Sequence, residues 1–438
     1  MRMQTCAPVR FFSPNGDKEM KSFLILLFST TALCVTFQSP NGDDTAPASL
    51  AVLIAEAEQK NPDIQAAVHG YRAASSSAKG AGALPDTQLM LQHLSVGSPR
   101  PFAGYTNSDF AYIGLGASQE FPWPGKRRLR AEVVNLQAES TRAQSESVRR
   151  VVVEQLKVAY FKLAYLQQTL GVLLRDDKLL GEMEQIAESR YRVGQGNQAE
   201  VLKAQLQHTR ILQEITMHHR EAGQMQAQLK QLLGRAQGST DIVTEPLRER
   251  VLPPSSADLL QEARQRNPEI AFREQSAKRS DKQVELARKE FRPDFGLQYM
   301  YQNTDRKFRD YYMLTLTVTL PNRGRRRAEL GAAAEHQQTA ASELSAEIQR
   351  RFAEVQTQYV AAQTSGEQLK IYREGLIPQA EATYRAALAA YQANRQDFES
   401  LLSSFRDLLD FEEQYQKELS EHESALARLE SLTGVALP

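Results

Sequence analysis

The chain of 438 residues has little cysteine, no net charge and no internal apolar run long enough to form a bilayer-spanning helix. Each shortage removes a class of explanation. The two cysteines, Cys6 and Cys34, both precede the organised part of the sequence, so no disulfide framework holds the remainder. Lysine plus arginine and aspartate plus glutamate number 53 each, which leaves no overall bias toward nucleic acid or acidic substrates. The mean hydropathy of −0.48 and the lack of an internal stretch of about 18 apolar residues argue against a transmembrane helix in the body. They leave a β-barrel open, because its lipid-facing residues are only every second one. A phosphate-binding loop is also missing: Gly194-Gln195-Gly196 lies between two helical patterns and reads as a tight helix–helix turn. The seven histidines (His69, His93, His208, His218, His219, His336 and His422) are scattered. None pairs with another at the i, i+4 spacing beside an acid that a helical zinc site uses. They read as solvated or seam-lining helix residues, and no catalytic or cofactor constellation is present. An enzyme is not expected, and no cofactor.

The N-terminus looks like an export signal. Residues 23–37 are apolar and follow Lys18 and Lys21, and Met20 is a candidate start. Cleavage is open between Ala32-Leu33-Cys34 and Ala46-Pro47-Ala48. Lipid attachment at Cys34 is a further reading, against which stands the size of Leu33. Ser13-Pro14-Asn15-Gly16-Asp17 recurs as Ser39-Pro40-Asn41-Gly42-Asp43, two turn-forming flanks. The expected organisation is a signal and disordered leader over 1–48, a first repeat over 49–237, a linker over 238–256 and a second repeat over 257–434.

What is present is a duplication with an offset of roughly 200 residues. Asn61-Pro62-Asp63-Ile64 answers Asn267-Pro268-Glu269-Ile270, and Leu84-Pro85-Asp86 answers Arg292-Pro293-Asp294. Phe121-Pro122-Trp123-Pro124-Gly125-Lys126-Arg127-Arg128 answers Leu320-Pro321-Asn322-Arg323-Gly324-Arg325-Arg326-Arg327. Tyr191 answers Tyr391, and Leu233-Gly234 answers Thr433-Gly434. Before each junction the sequence alternates with period two, predicting hairpins over 88–121 and 295–320. In the first, strands are expected over 88–96 and 110–121, with Ile113, Leu115, Ala117 and Phe121 sharing a face. In the second, Leu314, Leu316, Val318 and Leu320 oppose Met313, Thr315, Thr317 and Thr319. One face is greasy, the other small and polar.

Beyond each junction lies a long helical hairpin, expected over 125–234 and 323–434. No proline occurs from 125 to 193, and Val152, Leu156, Ala159, Leu163, Leu166, Leu170 and Leu173 step by four and three, a supercoiling seam. At 1.5 Å per residue, such a helix is roughly 100 Å long and spans a gap rather than a globular core. The second long helix is expected over 325–391, with Leu344, Ile348, Phe352, Val355, Tyr359 and Ala362 on one stripe and an adjustment at Pro378. Its return helix carries Leu401, Phe405, Leu408, Glu412, Tyr415, Leu419, His422, Leu426 and Leu429 in register. Two such halves cannot bury their apolar surface within one chain, so function must be sought in an assembly.

Two places carry candidate chemistry. At the junctions Phe121 and Trp123 stand beside Lys126 and Arg127, with Arg325 and Arg326 as the second-repeat cations. Aromatics next to cations suit a membrane–water interface, with anionic headgroups or neighbouring acids as partners. At the helical turns Glu200, Asp397 and Glu399 are first-turn acids that favour the helix dipole. Repeated by symmetry at a constriction, they would also form a cation-attracting gate.

Taken in order and twice over, these landmarks resemble the TolC-like outer-membrane efflux family across residues 50–434. The resemblance implies a mainly α fold with a membrane β-barrel portion. Each protomer of a homotrimer would give four strands to a twelve-stranded barrel, above a long coiled-coil tunnel in the periplasm. It implies a passive exit duct in the outer membrane, set in outer-membrane lipid and served by a periplasmic adaptor and an inner-membrane pump, with no nucleic acid. The adaptor would meet the turns at 193–197 and 393–397, through Val193, Gly194, Gln195, Gly196, Asn394 and Arg395. The family's closing acids match Glu200 in the first repeat, whereas the second repeat has Ser400 there, leaving Asp397 or Glu399 for that role. The junction style is closest to the branch associated with heavy-metal cation efflux. An exported soluble or surface-attached coiled-coil scaffold is the alternative.

Overall fold

The computed structural model describes residues 47–97, 111–252, 255–304 and 310–437, all within one compact unit, Ala46–Pro438. The export signal and its Cys34, and most of the loop expected after the first strand, lie outside the described residues.

Each repeat opens with two short helices broken at the Asn-Pro motif. In the first repeat these are α1 (Leu50–Lys60) and α2 (Pro62–Gly80). Proline keeps the preceding residue extended, and Asn61 sits at φ −64°, ψ 125°. From there its Oδ1 accepts from the N–H groups of Asp63 (2.9 Å) and Ile64 (3.2 Å), capping α2. Its amide donates to the Leu232 carbonyl at 2.8 Å, satisfying the end of another helix 171 residues away. Asn267 repeats both roles in the second half, capping at Glu269 and Ile270 and donating to the Leu432 carbonyl at 2.9 Å. Gly234 completes the first arrangement. At φ +67°, it leaves the Lys60 carbonyl oxygen 2.9 Å from where a Cβ would stand, so only glycine fits.

The strands are β1 (Gln88–Leu94), β2 (Tyr112–Phe121), β3 (Asp294–Asn303) and β4 (Asp310–Thr319), joined antiparallel in the order β1-β2-β3-β4. β1 ends two residues before the expected Val96, where Ser95 to Gly97 turn away.

The first long helix, α3 (Lys126–Arg192), runs unbroken for 67 residues, about 100 Å, and returns as α4 (Gln198–Leu232). The second repeat has α5 (Ser256–Arg266), α6 (Pro268–Lys289), α7 (Arg323–Ile371), a π turn (Tyr372–Leu376), α8 (Ile377–Gln392) and α9 (Phe398–Thr433). The helix expected as one piece over 325–391 is thus divided just before Pro378. Proline has no N–H to bond back, and its ring crowds the carbonyl four residues earlier; one widened turn relieves both.

α3 packs against α2 and α6 near the sheet and against α4 and α9 toward the turns. Of the seam expected on α3, six residues are buried and Leu170 is half-buried. Each fully buried leucine there contributes about 1.5–3 kcal/mol. On α7 the stripe is unequal: Val355 and Ala362 are fully buried, while Leu344, Ile348, Phe352 and Tyr359 are half-buried. Near the sheet α7 has α6 as its neighbour within the protomer and is open on its other side. Glu412 and Tyr415 of α9 are half-buried for a related reason, sitting between the two apolar clusters of that helix.

Candidate functional site

No helix among the described residues is long and apolar enough to cross a membrane. The apolar surface lies on the sheet instead. On one face Leu89, Leu91, Leu115, Leu314 and Leu316 are 61–84% exposed, and Tyr299, Tyr301 and Tyr312 join them, while Tyr311 lies on the other face. Register sets Leu91, Leu115, Tyr301 and Tyr312 in one cross-strand row, with Leu89, Ala117, Tyr299 and Leu314 in another. The opposite face carries Gln92, Gly114 and Gln302, then Ser118, Gln298 and Thr315. In a water-soluble sheet the greasy face would be covered; here it is bare, and β1 and β4 each leave one edge unpaired within the protomer.

At the junction of sheet and helix the two repeats interlock. Lys126, 1% exposed, directs its ammonium to both oxygens of Asp294 (2.9 Å each), the Arg292 carbonyl (2.9 Å) and Glu290 (3.3 Å). Asp294 also accepts the Trp123 N–H at 2.8 Å. The Trp123 ring stacks on Phe295 with centroids 5.9 Å apart, and the Arg292 guanidinium lies over it. Glu290 collects Arg130 (2.9 Å) and Arg326 (3.3 Å) besides Lys126. Burial pushes its carboxyl up, but Arg130 and Lys126 together outweigh that and hold it below the usual range. Gly125, at φ +90°, makes the turn into α3.

Of the two kinds of partner expected for the basic run, Lys126 takes neighbouring acids. Lys126 is held by acids of its own chain and does not present its charge to headgroups. Arg127 turns inward too, donating twice to the Gly82 carbonyl (3.0 and 2.7 Å). Phe121 and Arg325 remain exposed and Trp123 is half-buried. Arg325 reaches only Glu329 of its own helix, at 3.3 Å, and Arg326 is divided between Glu290 and Glu329.

The two turns at the far end superimpose in pattern and differ in chemistry. Gly194 (φ +76°) and Asn394 (φ +59°) occupy the same left-handed position, which asparagine tolerates. Asn197 and Asp397 are the equivalent N-caps, accepting from the N–H groups of Glu200 (3.1 Å) and Ser400 (3.0 Å). Asp397 is therefore engaged at its helix terminus, and its hydrogen bonds to Ser400 depress its carboxyl. Glu399 pairs with Lys203, which lowers it likewise. Glu200 accepts the Tyr391 hydroxyl at 2.9 Å and the Asn197 amide at 3.3 Å. None of the three acids is an unengaged charge.

Tyr391 is the centre of this end. It is 1% exposed, and its phenol is pushed up to about 12 by burial and then by Glu200. Arg190 lies 4.3 Å over its ring and donates to the carbonyls of Tyr391 and Gln195 and to the Asn394 side chain. Its repeat counterpart Tyr191 is 47% exposed. Sequence reasoning passed over Arg190 and used Tyr391 only as a landmark; its recurrence beside each turn was the available signal.

Six of the seven histidines are helix residues, and His93 lies in β1 opposite Ile113. His422 is buried and bridges the carbonyls of Ala362 and Arg250, each at 2.9 Å, tying α9 to α7 and to the inter-repeat segment. His208 and His218 face acids of neighbouring helices. Among the described residues no group of three or more His, Cys, Asp or Glu side chains could hold a metal ion.

A sequence model of the family described as outer membrane efflux protein matches residues 53–235 and 259–435, one match in each half. No curated protein matches the sequence. Solved structures share the fold. The outer-membrane channel OprN aligns at 18% identity over 89% of this chain and 91% of its own, with a TM-score of 0.77. CusC, described for conformational changes accompanying folding and transmembrane channel formation, aligns at 18% over 89% and 92%, with a TM-score of 0.76. The outer membrane protein VceC of Vibrio cholerae aligns at 19% over 89% and 97%, with a TM-score of 0.75.

Proposed function

The chain belongs to the outer membrane efflux protein family, and from that premise we propose how it works. As a family member it is a non-enzymatic outer-membrane channel component of tripartite efflux systems, and it reaches into the periplasm. The soluble scaffold is thereby set aside. Three copies close into a twelve-stranded barrel, each supplying its four strands, and the long helices line the tunnel below. One observation carries this reading: a four-stranded sheet with a bare apolar face and two unpaired edges stands at the end of a roughly 100 Å helical hairpin. Edges are not tolerated in lipid, and closure with further copies removes them.

The junction marks the periplasmic membrane surface, with Phe121 and Trp123 toward lipid, Arg325 at the same level beside the free β4 edge, and Lys126, Arg127 and Arg326 bracing the turn behind them. The turns at 193–197 and 393–397, where Val193 is 67% exposed, receive the periplasmic adaptor through Val193, Gly194, Gln195, Gly196, Asn394 and Arg395, and energy comes from an inner-membrane pump. The gate is the Glu200–Tyr391–Arg190 latch, with Glu399–Lys203 as a second tie and Asp397 shaping the turn. Its cargo is the heavy-metal cation class, the reading that the junction sequence favours.

Fractionation and planar-bilayer conductance test these claims. A heat-dissociable trimer in the outer-membrane fraction is expected, with low conductance that rises in Glu200→Ala and Tyr391→Phe. A soluble monomer overturns the channel, and equal conductance in all three proteins removes the latch from the gate.

A further inference from the structure

The small, polar face of the sheet contains one row that is neither small nor polar in the usual sense. Met90 pairs with Gly116, Gly116 with Met300, and Met300 with Met313, so a single row crosses all four strands and carries three thioethers. The rows on either side are built of Gln92, Gly114, Gln302 and Tyr311, and of Gln88, Ser118, Gln298 and Thr315. Nine methionines occur in the chain, three of them before residue 46, so half of the rest fall in this one row. The glycine between them is part of the arrangement: a Cβ at Gly116 would stand 3.1 Å from the Met300 methyl carbon. Its absence lets side chains from β1 and β3 lean toward one another across β2. Two of the three sulfurs meet amides, Met300 accepting from the Gln302 amide at 3.3 Å and Met90 facing that of Gln298 at 3.9 Å.

We propose that Met90, Met300 and Met313 form a binding site for soft monovalent d¹⁰ cations, of the Ag⁺ and Cu⁺ class, on the inward face of the sheet. The site rests on the channel reading for its position in a conduit, but its ligands all come from one protomer. Neutral thioethers select soft cations and disfavour Mg²⁺, Ca²⁺ and Mn²⁺, which take oxygen ligands. Met300 is fully buried and Met90 and Met313 are half-buried, so a cation enters past the two outer thioethers, and with no carboxylate in the row its charge is not neutralised and release stays open to it. A conduit needs just that combination, favourable entry with easy exit. Thioethers also have no proton to displace, so binding does not depend on pH as thiolate or imidazole sites do.

The test uses Ag⁺ as nitrate, in chloride-free buffer, with the full chain as the detergent-solubilised oligomer in a Cys6→Ser, Cys34→Ser background. Wild-type side chains should bind Ag⁺ with equal affinity at pH 5.5 and 7.5. Met90→Leu/Met300→Leu/Met313→Leu, which conserves core volume, should bind at least about tenfold more weakly. Met90→Leu alone, at a half-buried position, is the substitution least able to disturb the sheet and should weaken binding by about threefold. Undiminished Ag⁺ binding in both variants, no binding in the parent, or a pH-dependent affinity overturns the site. Conductance in bilayers reports separately: a conducting parent without methionine-dependent Ag⁺ binding sinks the site alone. Methionine-dependent binding in a protein that does not conduct sinks the duct and leaves the site.

Discussion

Removing Asp294 should loosen the passage from sheet to long helix more than removing the lysine it holds. Lys126 is 1% exposed, and Asp294 supplies two of its three hydrogen bonds, while Glu290 stands at 3.3 Å. Stripping one partner from a buried pair costs about 3–5 kcal/mol. Asp294 is 33% exposed and Glu290 remains, so the figure for Asp294→Ala falls to about 2–3 kcal/mol. Lys126→Met should cost only about 1 kcal/mol, because Glu290 keeps Arg130 and Arg326 and Asp294 keeps the Trp123 N–H. The double variant should fall short of the sum by about 1–2 kcal/mol, since its second change removes the ammonium stranded by the first. Trp123 is the only tryptophan of the chain, so its emission reports this junction alone. Native-state hydrogen exchange gives the magnitude without requiring reversible melting. In Asp294→Ala, amides around Trp123 should exchange about 30- to 150-fold faster, one decade for each 1.4 kcal/mol. Exchange within about threefold of the parent, or full additivity in the double variant, would show the ammonium to be solvated and refute the reasoning.

Asn61→Ala and Asn267→Ala should each destabilise by about 2–4 kcal/mol, from a lost helix cap and a stranded carbonyl at Leu232 or Leu432, read by exchange in the last turns of α4 and α9. The α4–α9 clasp should be strongest between about pH 4.5 and 6.5. His218 is raised by its hydrogen bond to Glu413 against burial, so its contribution is lost as pH rises above 6.5 through the folded value. Glu413, lowered by the same bond against burial and with Tyr165 and Lys417 beside it, loses its contribution as pH falls below 4.5; exchange in α4 against pH should therefore be bell-shaped in protection, and Glu413→Gln should abolish that shape.

Much of this architecture was legible because it is written twice. Period-two alternation located all four strands, and the absence of proline after Gly125 delimited α3 to within a residue. What escaped was pairing at a distance. Asn61 and Leu233-Gly234 were separate landmarks, yet one amide joins the first to the carbonyl beside the second. Lys126 read as an interface cation with headgroups or neighbouring acids as partners, and the choice between them was hidden because the acids that bury it lie more than 160 residues away. At the turns, Glu200 and Glu399 lie on first helical turns as expected, whereas Asp397 stands one position earlier, as the N-cap of α9. Periodicity could not show that Glu200 is bonded across repeats to Tyr391 while Asp397 spends its carboxylate on a cap. The π turn before Pro378 was anticipated only as an adjustment, since several distortions relieve the same crowding.

The cross-repeat contacts also have a converse that one protomer leaves open. Lys126 of the first repeat meets Asp294 of the second, and the recurrences Gly125-Lys126/Gly324-Arg325 and Pro85-Asp86/Pro293-Asp294 make Arg325 and Asp86 the converse pair. Both are exposed on the protomer; Arg325 touches only Glu329, and Asp86 has no ion pair among the described residues. β4 and β1 are the unpaired edges beside them. Setting the β1 of a second copy against β4 as β3 lies against β2 brings that copy's Asp86 to Arg325, making the seam between protomers a chemical repeat of the seam within one. Arg325→Glu and Asp86→Arg should each lower the temperature at which the oligomer dissociates on a gel, and the two together should restore it. A double variant no more stable than the singles would mean that the protomer seam does not follow the internal symmetry.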